Sequence, residues 1–145
     1  MQIRQISIFL ENRPGRLGAM CRALAEADIN IATLSLADTT DFGIVRMIVD
    51  DHDRAVKVLT DAGYAAKVAE VVAVCVSDRP GGMAEVMRAL DGSAANVEYA
   101  YAFSFHHGEK AVLVFRFTDN AAAETALKAA GFITLTEAEV TEASK

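Results

Sequence analysis

The hexapeptide Asn12-Arg13-Pro14-Gly15-Arg16-Leu17 returns as Asp78-Arg79-Pro80-Gly81-Gly82-Met83, an offset of 66 positions. At the same offset Arg22-Ala23-Leu24 meets Arg88-Ala89-Leu90, and Asn30-Ile31 meets Asn96-Val97. Further along the offset becomes 68: Asp51 meets Asp119, Leu59 meets Leu127, and Ala62-Gly63-Tyr64 meets Ala130-Gly131-Phe132. A fixed period with one small slip is one supersecondary unit used twice. The slip implies two inserted residues, and His106-His107-Gly108-Glu109 is the expected place for them. The boundary is expected near Glu70 and Val71, giving units 1–70 and 71–145 of the 145 residues. Units this small have thin cores and need shared surface, so they are expected to pack side by side.

Both units read alike. In the first, Ile6, Ile8 and Leu10 alternate with Ser7 and Phe9, the period of a strand. After Arg-Pro-Gly, residues Leu17, Met20, Cys21, Leu24 and Ala25 follow helical spacing, with Asn12 as the expected cap. A second strand is predicted from Ile29 to Leu36, a polar turn over 38–41, and a third strand from Gly43 to Val49. A second helix opens on Asp50-Asp51-His52-Asp53, carries Ala55, Val58, Leu59 and Ala62 inward, and ends at Gly63. A fourth strand is predicted from Tyr64 to Val71. The second unit gives a strand from Val72 to Ser77 and a helix with Met83, Val86, Met87 and Leu90 inward. A hairpin of Asn96–Phe105 and Lys110–Phe117 follows, then a helix with Ala123, Ala126, Leu127 and Ala130 inward. A last strand is predicted from Phe132 to about Glu139, with a loose tail from Thr141 to Lys145. The order β-α-β-β-α-β, twice, predicts an α+β chain of two ferredoxin-like units, each an antiparallel sheet with helices on one face.

Composition excludes several classes. The chain is 52% hydrophobic and 23% charged, with a net charge of −6, which suits a folded protein. Residues 1–70 carry 8 basic and 10 acidic side chains, and residues 71–145 carry 6 and 10, so neither half is a basic module for nucleic acid. No apolar run approaches a membrane span, and Met1-Gln2-Ile3-Arg4-Gln5 does not open an export signal; a cytoplasmic location is expected. Cys21 and Cys75 do not form a spaced pair and read as buried free thiols.

The residues that carry the repeat resemble the ACT domain, a small regulatory module of this topology that binds amino acids. The resemblance rests on a first strand followed by Asn/Asp-Arg-Pro-Gly-x-Leu, a helix, and Asn-Ile opening the second strand. The first unit, through Glu11-Asn12-Arg13-Pro14-Gly15 and Asn30-Ile31, is similar to the serine-sensing ACT domain of phosphoglycerate dehydrogenase. The resemblance implies a tandem ACT protein without a catalytic domain. It implies a ligand between the loop after the first strand of one unit and the second strand of a neighbouring one. Carried over, the ligand-binding residues are Asn12, Arg13, Pro14, Gly15, Arg16 and Leu17 with Asn30 and Ile31. In the second unit they are Asp78, Arg79, Pro80, Gly81, Gly82 and Met83 with Asn96 and Val97. If the units pair within the chain, Asn12 is expected opposite Asn96, and Asp78 opposite Asn30. Leu10 stands where the serine-sensing relatives carry a histidine, which points to a more apolar ligand.

The chemistry of these residue types suits a zwitterion. Backbone N–H groups at a helix start attract a carboxylate. A glycine lets a ligand approach the backbone, and the Asn12 and Asn96 amides both donate and accept. Asp78 only accepts when ionised, and Gly82 replaces the charge of Arg16, so the first loop is the better site.

Plainer readings stand beside these. Asn12 serves equally as a cap, Arg13 and Arg79 as solvated charges, and Arg46 as a charge on a sheet face or interface. Adjacent His106 and His107 point to opposite faces of a strand and do not chelate easily. Tyr99, Tyr101, Phe103 and Phe105 share a strand face, and the acidic balance favours packing over RNA stacking. No phosphate loop, carboxylate pair or catalytic triad stands out. The expectation is therefore a non-catalytic amino-acid sensor with no cofactor or metal, forming a homodimer and acting on a regulated enzyme partner. The rivals are a protein-interaction module without a small ligand and a small enzyme, for which His106 or His107 are the candidates.

Overall fold

The computed structural model describes residues 2–38, 41–107 and 110–143. The predicted turn at Thr39-Thr40, the hairpin tip Gly108-Glu109 and the end of the tail fall outside the described residues. The chain divides into two compact units: residues 4–69, and residues 70–143 together with Gln2 and Ile3.

The N-terminal unit runs β1 (Ile3–Glu11), α1 (Arg16–Glu26), β2 (Ile31–Asp38), β3 (Phe42–Val49), α2 (His52–Asp61) and the first part of β4 (Ala66–Ser77). Its strand order is β2-β3-β1-β4, with β3 antiparallel to both β1 and β2. Alternation places Ile6, Ile8 and Leu10 of β1 beside Val45, Met47 and Val49 of β3 on one face. Met20 and Leu24 of α1 and Ala55 and Leu59 of α2 close that face into a core. Each large side chain fully buried there stabilises the fold by about 1.5–3 kcal/mol relative to exposure. Ala25 and Ala62, predicted on the inner stripes, are exposed because they lie at the helix ends, beyond the sheet-facing arc.

The C-terminal unit runs from the second part of β4 through α3 (Gly82–Leu90), β5 (Val97–His107), β6 (Lys110–Phe117), α4 (Asn120–Ala129), β7 (Thr134–Leu135) and α5 (Glu137–Ala143). Here β4 pairs with β6 and β7, and β6 with β5, all antiparallel. The core joins Val72, Val74, Val76, Phe115 and Phe117 to Val86, Leu90, Ala123 and Leu127. Phe115 and Phe117 stack with ring centroids 5.3 Å apart. Met83 and Ala130, expected inside, are exposed. Both units are α+β with antiparallel strands and ferredoxin-like order, as the pattern predicted.

The repeat is visible at atomic scale. A bulge between Ile31 and Thr33 recurs between Val97 and Tyr99. Asp51 and Asp119 cap α2 and α4 by accepting from Arg54 N and Ala122 N. Gly63 and Gly131 end those helices at φ 91° and 88°. Tyr64 N donates to Leu59 O, and Phe132 N to Leu127 O, each at 3.0 Å. These are Schellman closures, which require the left-handed conformation that glycine adopts freely.

Several expectations are corrected. β2 begins at Ile31, not Ile29, because α1 closes through Asp28 at φ 59° with Ile29 N bonded to Leu24 O. The separate strands Tyr64–Val71 and Val72–Ser77 are one strand, since no turn-forming residue interrupts Ala66 to Ser77. The extra residues of the second unit lie within β5: Ala102 faces Leu113 while His106 faces Ala111, so four steps on β5 span two on β6. The last strand stops at Leu135. Thr136 N donates to Glu139 Oε2, and Glu139 N donates to Thr136 Oγ1, a capping box that starts α5. The predicted loose tail is thus helical through Ala143, with Val140 fully buried.

Candidate functional site

The repeated loop folds the same way twice. Arg16 N donates to Arg13 O, and Gly82 N to Arg79 O. Gly15 sits at φ 87°, ψ −11° and Gly81 at φ 88°, ψ −7°, in the third position of turns whose second residue is proline. These are the third-position angles of a type II turn, which proline and glycine favour. The turn delivers the chain directly into a helix whose N-cap is the glycine.

That geometry overturns the expectation that Asn12 caps α1. The cap is Gly15, no side chain bonds the helix start, and Asn12 lies three residues earlier with its N–H donated to Asp41 O. α3 likewise has no side-chain cap. Leu17 and Gly18 of α1, and Met83 and Ala84 of α3, occupy first-turn positions whose N–H groups have no carbonyl one turn earlier. By contrast α2 and α4 are capped by aspartates, and α5 by Thr136. The two helix starts at the repeated loop are therefore the ones open to an anion.

Each open start borders a hollow. In the N-terminal unit a cavity of about 130 Å³ lies among Leu10, Leu17, Leu36 and Gly43, rimmed by Glu11, Asn12 and Arg13. A more polar cleft shares Glu11, Asn12 and Arg13 and continues to Asp41 and Phe42. In the C-terminal unit the corresponding space, about 460 Å³, lies among Val76, Ser77, Asp78, Arg79, Pro80, Met83, Ala111 and Leu113.

The two loops differ in charge and in space. Glu11 lies between Arg13 at 3.4 Å and Arg16 at 3.6 Å, one carboxylate against two guanidiniums. Arg79 is paired with Glu85 of α3, and Asp78 precedes it in the chain. A Cβ on Gly82 would overlap the carbonyl oxygen of Ser77, whereas the equivalent position in the first unit holds the full side chain of Arg16. Gly82 is thus fixed by close packing of α3 on β4, a cause that its sequence position did not reveal.

The strand-start residues lie elsewhere in each unit. Asn30 N donates to Asp50 Oδ1 and Asp50 N to Asn30 O, beyond the Ile31–Val49 pair. The loop lies at the other end of β3, where Glu11 faces Phe42. Asn96 N donates to Thr118 Oγ1, and Thr118 N to Asn96 O, again at the end of β6 away from Ser77 and Lys110. A single unit therefore does not bring Asn12 near Asn30 and Ile31, or Asp78 near Asn96 and Val97.

Other candidates separate from this region. His106 and His107 pair along the backbone with Ala111 and Lys110, and their side chains lie outside the described residues. Cys21 is partly buried and Cys75 buried, and neither is in a disulfide. Burial pushes the Cys75 thiol up from its ordinary value; the Lys110 ammonium opposes this and the Glu139 carboxylate adds to it. A thiol so placed is a poor nucleophile. Phe103 is buried, in keeping with packing for its strand face. No described helix is long and apolar enough to cross a membrane.

Comparison with known proteins agrees with the fold. Among curated proteins no sequence match is found. A protein of known structure from Bacteroides thetaiotaomicron shares 34% identity over 98% of this chain and 97% of its own, with a TM-score of 0.91. The ligand-free regulatory subunit of aspartate kinase from Thermus thermophilus shares the fold at 20% identity and a TM-score of 0.63, over 88% and 89% of the two chains. The corresponding subunit from Thermus flavus does so at 19% and 0.61, over 88% and 92%. Residues 1–139 match the family described as an ACT domain pair. By that match the chain, with its two units of ferredoxin-like order, belongs to the ACT domain pair family.

Proposed function

We propose that the chain is a non-catalytic sensor of a free α-amino acid, which it reports to an enzyme partner or to a second copy of itself. The observation that carries this reading is the open start of α1 beside the Leu-lined cavity. The ligand carboxylate rests on the N–H groups of Leu17 and Gly18, with Arg13 and Arg16 nearby. The ammonium turns to Glu11 and to the amide of Asn12. Pro14 and Gly15 set the turn and keep the approach clear. A ligand that also touches a strand start, Asn30-Ile31 or Asn96-Val97, must be shared with another ACT unit, because those residues lie at the far end of their own unit's sheet. Sharing couples binding to assembly, since a ligand shifts an equilibrium only by its difference in affinity between states.

Asp78, Arg79, Pro80, Gly81, Gly82 and Met83 form a second, weaker site, because the Asp78 carboxylate competes with a ligand carboxylate. The edge strands β2 and β5 suit a homodimer in the cytoplasm. Two solved chains of this fold are described as regulatory subunits of aspartate kinase, and a regulatory role accords with that company.

The test is a thermal-shift panel of the free amino acids on the purified chain. A ligand at 100 times its dissociation constant adds about 2.7 kcal/mol to stability, several degrees in Tm. One selective response, lost in Asn12→Ala, is expected. A flat panel sinks the proposal.

A further inference from the structure

Granting the amino-acid reading above, we infer that the ligand of the N-terminal loop carries an apolar side chain of three to seven carbons, and that Gly43 and Leu36 set its size. The cavity beside the loop has a volume of about 130 Å³ and an apolar floor of Leu10, Leu17, Leu36 and Gly43. An apolar cavity of roughly 150 Å³ holds a benzene ring, so this one is sized for a branched aliphatic chain or a phenyl ring. Nothing on the floor donates or accepts through its side chain, so a ligand hydroxyl, carboxylate or ammonium placed there would lose its water without compensation. The polar groups, Glu11, Asn12 and Arg13, stand at the rim, where the cavity meets the polar cleft. Apolar floor and charged rim match the two ends of an apolar amino acid.

Two further observations point the same way. Leu36 is 50% exposed and Phe42 49% exposed, and they flank the apolar and polar hollows respectively. Large apolar side chains left this open beside a small cavity are covered when an apolar group enters. Gly43 faces Leu10 across the sheet, and a Cβ there would stand 2.9 Å from Leu36 Cδ1. The missing methyl therefore leaves room for the tip of Leu36, and a methyl there would shift that wall of the cavity. The second unit has Ala111 facing Val76 in the corresponding pair, and its wider hollow carries no such match to one side chain.

The experiment measures binding of leucine, isoleucine, valine, methionine, phenylalanine, serine, threonine, aspartate and lysine to the full chain by calorimetry, with Gly43→Ala and Leu36→Ala alongside. An apolar member is expected to bind at least tenfold more tightly than any polar one. Gly43→Ala is expected to weaken the largest apolar ligands at least fivefold and to spare valine. Leu36→Ala changes an exposed residue and leaves the fold intact; it is expected to weaken all apolar ligands severalfold. A polar amino acid that binds best and is lost in Asn12→Ala overturns the apolar assignment and leaves the sensor reading standing. An apolar ligand indifferent to both cavity variants overturns the placement. Absence of binding by any of the nine, repeated over the remaining amino acids, removes the sensor reading itself.

Discussion

Gly82, the first residue of α3, packs so closely on β4 that a Cβ there would overlap the carbonyl oxygen of Ser77. The residue at the corresponding place in the N-terminal unit is Arg16, whose side chain is half exposed and reaches Glu11. The same turn thus feeds two helices that seat differently on their strands. Gly82→Arg is expected to destabilise the chain by about 1–3 kcal/mol, the usual range for overpacking. Arg16→Gly, the reverse exchange, meets no clash and is expected to change stability by less than about 1 kcal/mol. Urea midpoints of the two variants check this; equal losses would mean that the packing difference is not what keeps glycine at position 82.

Capping separates the polar residues that hold a helix start from those that do not. Asp51 and Asp119 each accept a hydrogen bond from the first turn of a helix. Asp51→Ala and Asp119→Ala are expected to cost about 1 kcal/mol each. Asn12 and Asp78 stand at the same place in the repeat but cap nothing, so Asn12→Ala and Asp78→Ala are expected to leave stability within about 0.5 kcal/mol of the parent. Chemical denaturation of the four variants decides the matter. A loss of 1 kcal/mol or more in Asn12→Ala would assign that side chain to the fold and weaken its place in the ligand site.

The contrast also shows what a single sequence carries. The repeat, the helix stripes and the Gly63 and Gly131 stops were legible, because apolar spacing and glycine act locally. The failure of Asn12 to cap α1 was not. Arg-Pro-Gly followed by Arg or Gly reads as a helix beginning, and only the hydrogen bonds show that the turn pushes Asn12 out of capping range. The floor of the cavity was equally hidden: Leu36 and Gly43 belong to strands far in sequence from Leu10 and Leu17, and their meeting is a consequence of register. Leu10 alone gave a hint of apolar chemistry. At the C-terminus the local signal is present, since Thr136 and Glu139 have the spacing of a capping box.

That box makes α5 testable. Thr136→Ala removes one of its two bonds and is expected to cost about 1 kcal/mol. The loss should be local, because α5 has only seven residues and such a helix depends on its cap and on the burial of Val140. Hydrogen exchange of Val140, whose N–H is donated to Thr136 O, is expected to accelerate about fivefold or more. Exchange unchanged at Val140 in a variant that lost global stability would show that the helix is held by packing alone.

Cys75 gives the chain an alkaline limit. It is buried in β4, and burial raises its thiol above the ordinary 9.0, with Lys110 opposing and Glu139 adding. A group whose folded value is raised contributes its stability fully below the unfolded value and loses it as pH climbs toward the folded value. The window therefore opens near pH 9 and extends upward. The parent is expected to lose stability more steeply than Cys75→Ala between about pH 9 and 10.5, while the two run parallel from pH 6 to 8. Comparing slopes removes the constant penalty of the smaller side chain, and the tyrosines and lysines that titrate in the same range are common to both proteins. Parallel curves through pH 10.5 would show that the thiol ionises in the folded chain as easily as in water. Alkylation gives an independent reading: Cys75 should stay unmodified at pH 8 until denaturant is added.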